Sequence, residues 1–213
     1  MDSALFKVLS GNRAWVALKN SFYTSAVATM ISLLLGCFFS FFLALTNIRF
    51  KALWVFLFML PMMIPPQVTA LSWIQLFGPS SALLRTLGMA PALGSPNPIY
   101  SPEGIALLLG IQHAPLVFLT MRTQLSALPK EQIEAARMSG ASFGQVLKDI
   151  ILPLCYSAMI AATALAFVSS LGNFGIPAML GIPISYTVLP TLIYQSMSTF
   201  GPDMLNQVAS LSV

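Results

Sequence analysis

Charge is what this sequence has least of. Only 8% of its 213 residues are Asp, Glu, Lys or Arg, where a soluble domain carries about 25%. A water-facing surface cannot be built from so few charges, so most of the surface must meet lipid or other apolar surface. Histidine occurs once, at His113, and no Cys/His spacing of the zinc type exists, so no metal site is expected. The two cysteines, Cys37 and Cys155, sit in or beside apolar runs and read as free thiols rather than as a disulfide. No G-x4-G-K-[ST] sequence occurs, so any ATP must be bound by another chain and no cofactor is expected on this one. No acid lies inside an apolar run. With one histidine and no intramembrane acid there is no nucleophile–base or paired-acid set, so no catalytic residue is assigned and an intramembrane enzyme is disfavoured. The ten Lys and Arg are scattered, which leaves nucleic-acid binding without support. No cleavable signal peptide is evident, because the first apolar run is too long for one.

What is there is a set of long uncharged runs. Hydrophobic residues make up 57% of the chain, and the reading is an all-α polytopic transmembrane bundle in one domain, residues 1–213. A first span covers about 22–46. At about 25 residues it would reach roughly 37 Å as a helix, enough to cross a ~30 Å hydrocarbon core. Asn20 and Ser21 are plausible caps at its start. A second span covers about 52–77, with Trp54 and Trp73 near its ends and ~28 Å apart on a helix, as interfacial aromatics would be. Pro61, Pro65, Pro66 and Gln67 fall inside it. Those prolines force a kink or an unwound turn, which serves either a merely kinked packing helix or a pathway-lining break. Residues 78–103, rich in Pro, Gly and Ser, read as an extramembrane loop. A third span covers 104–121 and a fourth 154–171. The Gly- and Pro-broken stretch after 171 reads as a loop with short or re-entrant helical pieces, and a fifth span starts at about 204. Arg49, Lys51, Arg122, Lys130, Arg137 and Lys148 fall on one side of this layout, and Lys7, Arg13, Lys19 and Arg85 on the other. That is a weak vote for a cytoplasmic 122–153 loop.

Residues 126–153 form the clearly polar stretch, read as a helix, a turn and a helix. Pro129 suits a first helical position. Glu131 and Glu134 lie in the early turns, where the helix dipole favours them. Gly140 permits the left-handed residue that ends a helix. Ser142 with Gln145 makes a capping box for the second helix, and Pro153 marks the junction with the fourth span. Ala135 and Ala136 leave a small-residue patch that another protein surface could approach closely.

The spacing Glu134-Ala135-Ala136, three residues, Gly140, nine residues, Ile150, one residue, Leu152-Pro153 matches at all seven positions the loop motif of permeases in binding-protein-dependent ABC importers of the type I fold. The chain resembles that family over most of its length. Asn20-Ser21 opening a long span with Gly36 inside it is similar to the family's first core helix. The stretches Gly172–Pro177 and Thr187–Tyr194 resemble the ferric-iron branch most, with polyamine, thiamine and phosphonate permeases as relatives. The family has a further span before the first core helix and a full last span. The chain is therefore expected to be a fragment, such as the first half of a fused permease.

The resemblance implies a multi-pass protein of the bacterial cytoplasmic (inner) membrane. Its partners would be a cytoplasmic ATP-binding subunit, an extracytoplasmic solute-binding protein, a second permease half and membrane lipid. The loop would dock on the ATP-binding subunit, with Glu134 a polar anchor, Ala135 and Ala136 in close contact and Gly140 setting the turn. Polar groups at membrane depth are expensive and tend to be functional, so Gln67, Gln112, His113 and Asn173 are candidate pathway residues. Each has a structural alternative. His113 could bond a backbone carbonyl freed by Pro115, and Gln67 and Gln112 could simply bridge helices. A channel or scaffold without ATPase coupling would explain the spans but not the loop motif.

Overall fold

The computed structural model describes residues 12–198 except 89, 90 and 93. Lys7 and the expected fifth span at 204–213 lie outside the described residues. The elements are helices: α1 (Asn12–Leu45), α2 (Lys51–Met63), α3 (Pro66–Leu76), α4 (Ala82–Thr86), α5 (Pro102–Ser126), α6 (Lys130–Met138), α7 (Phe143–Val146), α8 (Leu152–Leu171), α9 (Gly175–Gly181) and α10 (Leu189–Ser198). A π turn at Leu147–Ile151 joins α7 to α8, and a 3-10 turn at Ile182–Ile184 follows α9. Three helices are long and apolar enough to cross a membrane: α1, α5 and the continuous Phe143–Leu171. The count rises to five if each of two bent pairs is one span. The protein is an all-α polytopic bundle.

α5 is the centre. Of its membrane-length window 67% is buried, against 33% for α1 and 28% for Phe143–Leu171. In lipid, apolar surface alone does not draw helices together, so close backbone approach and interhelical hydrogen bonds must. α1 supplies both through a stripe of small residues spaced three or four apart: Ser21, Ser25, Ala28, Ser32, Gly36 and Ser40, all buried. A Cβ at Gly36 would stand 2.6 Å from the Val117 Cβ, and one at Gly110 would stand 2.6 Å from the Ile31 Cβ. The Ser32 hydroxyl, which already reaches the Ala28 carbonyl, also reaches the Gly110 carbonyl at 2.9 Å, and Ser40 donates to the Phe118 carbonyl at 3.0 Å. α8 closes the other side with its own small face, Cys155, Ala158, Ala162 and Ala166, packed with Val117 and Met121 of α5.

Several boundaries differ from expectation. α1 begins at Asn12, so Asn20 and Ser21 are not caps; the charges at Arg13 and Lys19 end the apolar run without ending the helix. Both residues bind another segment instead. Asn20 Nδ2 donates to the Thr187 carbonyl at 3.0 Å, and the Ser21 hydroxyl accepts the Leu189 amide at 2.7 Å. The expected 52–77 span is two helices meeting at 97°, so Trp54 and Trp73 do not mark the ends of one straight segment. The cause is local. Residues before proline are pushed out of the helical region, and Ile64 and Pro65, each followed by proline, are both extended, with ψ of 132° and 136°. α5 is longer at both ends than 104–121, being started by the Ser101 hydroxyl, which caps Gly104.

Candidate functional site

The polar hairpin is built from local signals. α6 ends in a Schellman turn. The Ala141 amide bonds the Ala136 carbonyl at 3.1 Å, the Gly140 amide bonds the Arg137 carbonyl at 3.0 Å, and Gly140 sits at φ +85°. Ser142 then opens α7 through a reciprocal capping box, its amide donating to Gln145 Oε1 at 2.8 Å. Pro153 has no amide hydrogen and its ring would press on the carbonyl one turn back. The π turn relieves that crowding: the Leu152 amide reaches five residues back, to Leu147. The helix therefore continues from Phe143 to Leu171 without a break. Gln124 of α5 adds a tie, donating to the Leu154 carbonyl at 3.0 Å.

The seven motif residues, with their neighbours Ile133 and Ala141, divide into two groups. Ile133, Ala136, Ala141 and Ile150 pack on a cluster made of Val117, Met121, Val146, Ile151 and Cys155. Glu134, Ala135, Gly140, Leu152 and Pro153 are exposed. The expected Ala135–Ala136 patch is therefore split. Ala135 faces outward, while Ala136, one helical step on, faces the protein's own core. Two residues not singled out from the sequence join the outward side: Met138 is 89% exposed and Phe143 56%. An exposed Met and Phe around a helix turn were legible only as a break in the polar pattern of the loop. At the same end of the bundle, Lys51 and Arg122 share a cavity of about 260 Å³ with Ser40 and Ser126.

Of the four polar candidates, Gln112 bonds the α2–α3 break and Gln67 lies just past it, whereas His113 and Asn173 bond elsewhere. Ile64 lies at the break, and its carbonyl has lost its helical partner, because the Val68 amide bonds Pro65 instead. Gln112 Nε2 of α5 fills the vacancy at 3.2 Å. Gln112 is only 6% exposed, and its Oε1 is left without a donor. An unmet buried acceptor costs about 1–3 kcal/mol. Gln67, three residues past Ile64, is exposed on α3 and also abuts Gly175, where a Cβ would lie 2.9 Å from the Gln67 Cδ and from the Pro66 Cβ. Asn173 does not face outward as a free amide; its Oδ1 accepts the Ile176 amide at 3.3 Å and starts α9. His113 Nδ1 lies 2.8 Å from the Leu109 carbonyl and 3.2 Å from the Ser170 hydroxyl. It therefore bonds the carbonyl four residues before itself, not the one that Pro115 frees. With Nδ1 as the donor, the other ring nitrogen is an acceptor. Among the described residues no group of three or more His, Cys, Asp or Glu could hold a metal ion.

Residues 32–202 match the model of the binding-protein-dependent transport system inner membrane component. The molybdenum transport system permease protein ModB of Escherichia coli is 30% identical over 195 residues, covering 89% of this chain and 82% of the relative. The xylose/arabinose import permease protein XacH of Haloferax volcanii is 29% identical over 203 residues, covering 92% of this chain and 64% of that protein. The spermidine/putrescine transport system permease protein PotB of Haemophilus influenzae is 28% identical, with 83% of this chain matched and 61% of that one. The chain thus spans about three fifths to four fifths of these relatives. It belongs to the family of binding-protein-dependent ABC importer permeases, membrane subunits that are not themselves enzymes.

Proposed function

We propose that this chain forms part of the translocation pathway of an ATP-driven importer and that residues 126–153 couple it to a cytoplasmic ATP-binding subunit. The observation that carries the reading is the two-sided hairpin. Its inner side is anchored in the bundle core through Ala136 and Ile150. Its outer side offers Glu134, Ala135, Met138 and Phe143 to a partner. A displacement at Phe143 passes straight into the span, because α7 runs through the π turn into α8, and one on α6 reaches it through the Schellman turn and the packing of Ile133 and Ala136 on the same core. Coupling then requires only that nucleotide binding by the partner favour one of two bundle states.

Gln67 and the exposed face of α3 are the pathway surface in this reading, and Gln112, His113 and Asn173 support it from behind. A solute-binding protein outside the membrane and a second permease half complete the transporter. Ferric iron, expected from the resemblance of Gly172–Pro177, gains no support from the relatives, whose names give molybdenum, sugars and polyamines. The described acids, Glu103, Glu131, Glu134 and Asp149, all lie at the start of α5 or in the hairpin. A ferric ion or a polyamine would be steadied by carboxylates at membrane depth, whereas an oxyanion is served by neutral donors such as the Gln67 amide. A molybdenum oxyanion and a sugar, for which neutral donors suffice and for which relatives are named, are therefore the substrates to test first.

The coupling reading is tested by comparing neighbours. Ala135→Arg is expected to abolish co-purification with the ATP-binding subunit and to leave thermal unfolding in detergent unchanged. Ala136→Arg is expected to lower the unfolding temperature, because it pushes a charge into the bundle core. Normal assembly of the Ala135→Arg protein would remove the docking role.

A further inference from the structure

We propose that Gln112 is a positioning residue that latches a hinge at Ile64–Pro65, holding α3 at its angle to α2; this rests on the reading of the break as part of the pathway. Three observations carry the idea. The first is the pivot itself. Ile64 and Pro65 are extended between two helices, and the α2–α3 angle of 97° is not fixed by any helical hydrogen bond across the junction, since the first amides of α3 bond Pro65 and not Ile64. Two extended residues can change their torsions without breaking either helix, which is what hinge positions do.

The second is the nature of the tie. Gln112 comes from α5, the most buried of the three long helices, and its one hydrogen bond to the break is to the Ile64 carbonyl at 3.2 Å. The amide orientation is fixed by its partner, because turning it over would set two oxygens against each other. The third is that the amide is half used. Oε1 is buried and has no donor. A side chain with both bonds made would lock the junction, and one with none would not hold it. With one made and one open, the amide holds the hinge at this angle in the resting chain while leaving a second arrangement, in which a donor reaches Oε1, within reach of a ligand or partner that favours it. The Val68 amide, the α-helical partner that Ile64 would otherwise have, is engaged with Pro65.

The test places spin labels on the two arms, at Leu57→Cys and Leu71→Cys, in a chain carrying Cys37→Ala and Cys155→Ala. Leu57 and Leu71 are both exposed. Distances are measured on the full chain in lipid nanodiscs. With Gln112 present, one narrow distance distribution is expected. Gln112→Met keeps the shape and removes the bond, and should broaden the distribution or add a second peak. Gln112→Glu, whose carboxyl stays protonated at membrane depth and can donate to Ile64, should restore the narrow one. If Gln112→Met leaves the distribution unchanged, the latch is overturned. If Met and Glu broaden it equally, packing and not the hydrogen bond positions the hinge, which also overturns it. In the complete transporter, Gln112→Met is expected to raise the ATP hydrolysed per solute moved by roughly 2–10-fold, the change that one hydrogen bond allows. An unmodified transporter that moves no solute would count against the permease reading, whereas the distance measurement stands apart from transport.

Discussion

The α1–α5 pair and the α2–α3 pair solve opposite problems inside one membrane bundle. α1 and α5 are close because the side chains between them are almost absent. Gly36 lies against Val117 and Gly110 against Ile31, and serine hydroxyls bond across the gap. α2 and α3 have no such partner. α2 has no fully buried residue, and α3 has one, Ala70. Their geometry is set by prolines, by side-chain packing of Phe58 on Phe39 and Phe118 and of Ala70, Trp73 and Ile74 on the core, by the contact of Gly175 with Pro66 and by the amide of Gln112. A helix pair that meets backbone to backbone has one good arrangement. A pair held by a few side-chain contacts can have two. In a transporter the first kind of contact suits the frame and the second suits the part that moves.

That contrast can be attacked directly. The largest effect is expected from Gly36→Leu, which drives a side chain into Val117 and the Ala114 carbonyl. It should cost about 3 kcal/mol and show as loss of the folded species in size-exclusion chromatography and thermal unfolding in detergent. Gly175→Ala acts on the other pair. Its methyl would lie 2.9 Å from Pro66 and from the end of the Gln67 side chain, and Gln67 can swing aside. A loss of about 1 kcal/mol is expected, with a larger fall in transport than in unfolding temperature. Equal losses for the two glycines would erase the distinction drawn above. The smallest effect belongs to Ser40→Ala, which removes one interhelical hydrogen bond to Phe118 and should cost about 0.6 kcal/mol, with transport unchanged.

Local features were legible in the sequence where a short run of residues decides them. Gly140 followed by Ser142 and Gln145 specifies a Schellman turn and a capping box without help from the rest of the chain. Pro65 and Pro66 likewise announce a break. The 97° angle at that break was not legible, because it depends on Gly175 and Gln112, more than 40 residues away in sequence. The start of α1 was misplaced for a different reason. Charge marks where an apolar run ends, but with no proline or glycine between Asn12 and Ser21 the helix continues through Lys19 and Arg13. Asn20 and Ser21 look like caps to any reading that ignores tertiary partners, yet they hold Thr187 and Leu189. The division of Ala135 from Ala136 needed the helix to be seated on its core, since adjacent residues on a helix point about 100° apart.

The π turn at Leu147–Ile151 has one more consequence, which concerns phase. A π turn carries one residue more than an α turn, and each residue of an α-helix advances the side chains by about 100°. The hairpin end of the long helix is therefore rotated relative to the span by an amount that an unbroken α-helix would not give. The π turn absorbs that residue: with one residue fewer, as on deletion of Lys148, an α turn would form and leave the faces on either side nearly in their present phase. The same number of residues wound as unbroken α-helix would instead carry the alanine face of the span about 100° away from α5. The angular registry between the outer hairpin and the membrane bundle is thus set by five residues at the membrane boundary.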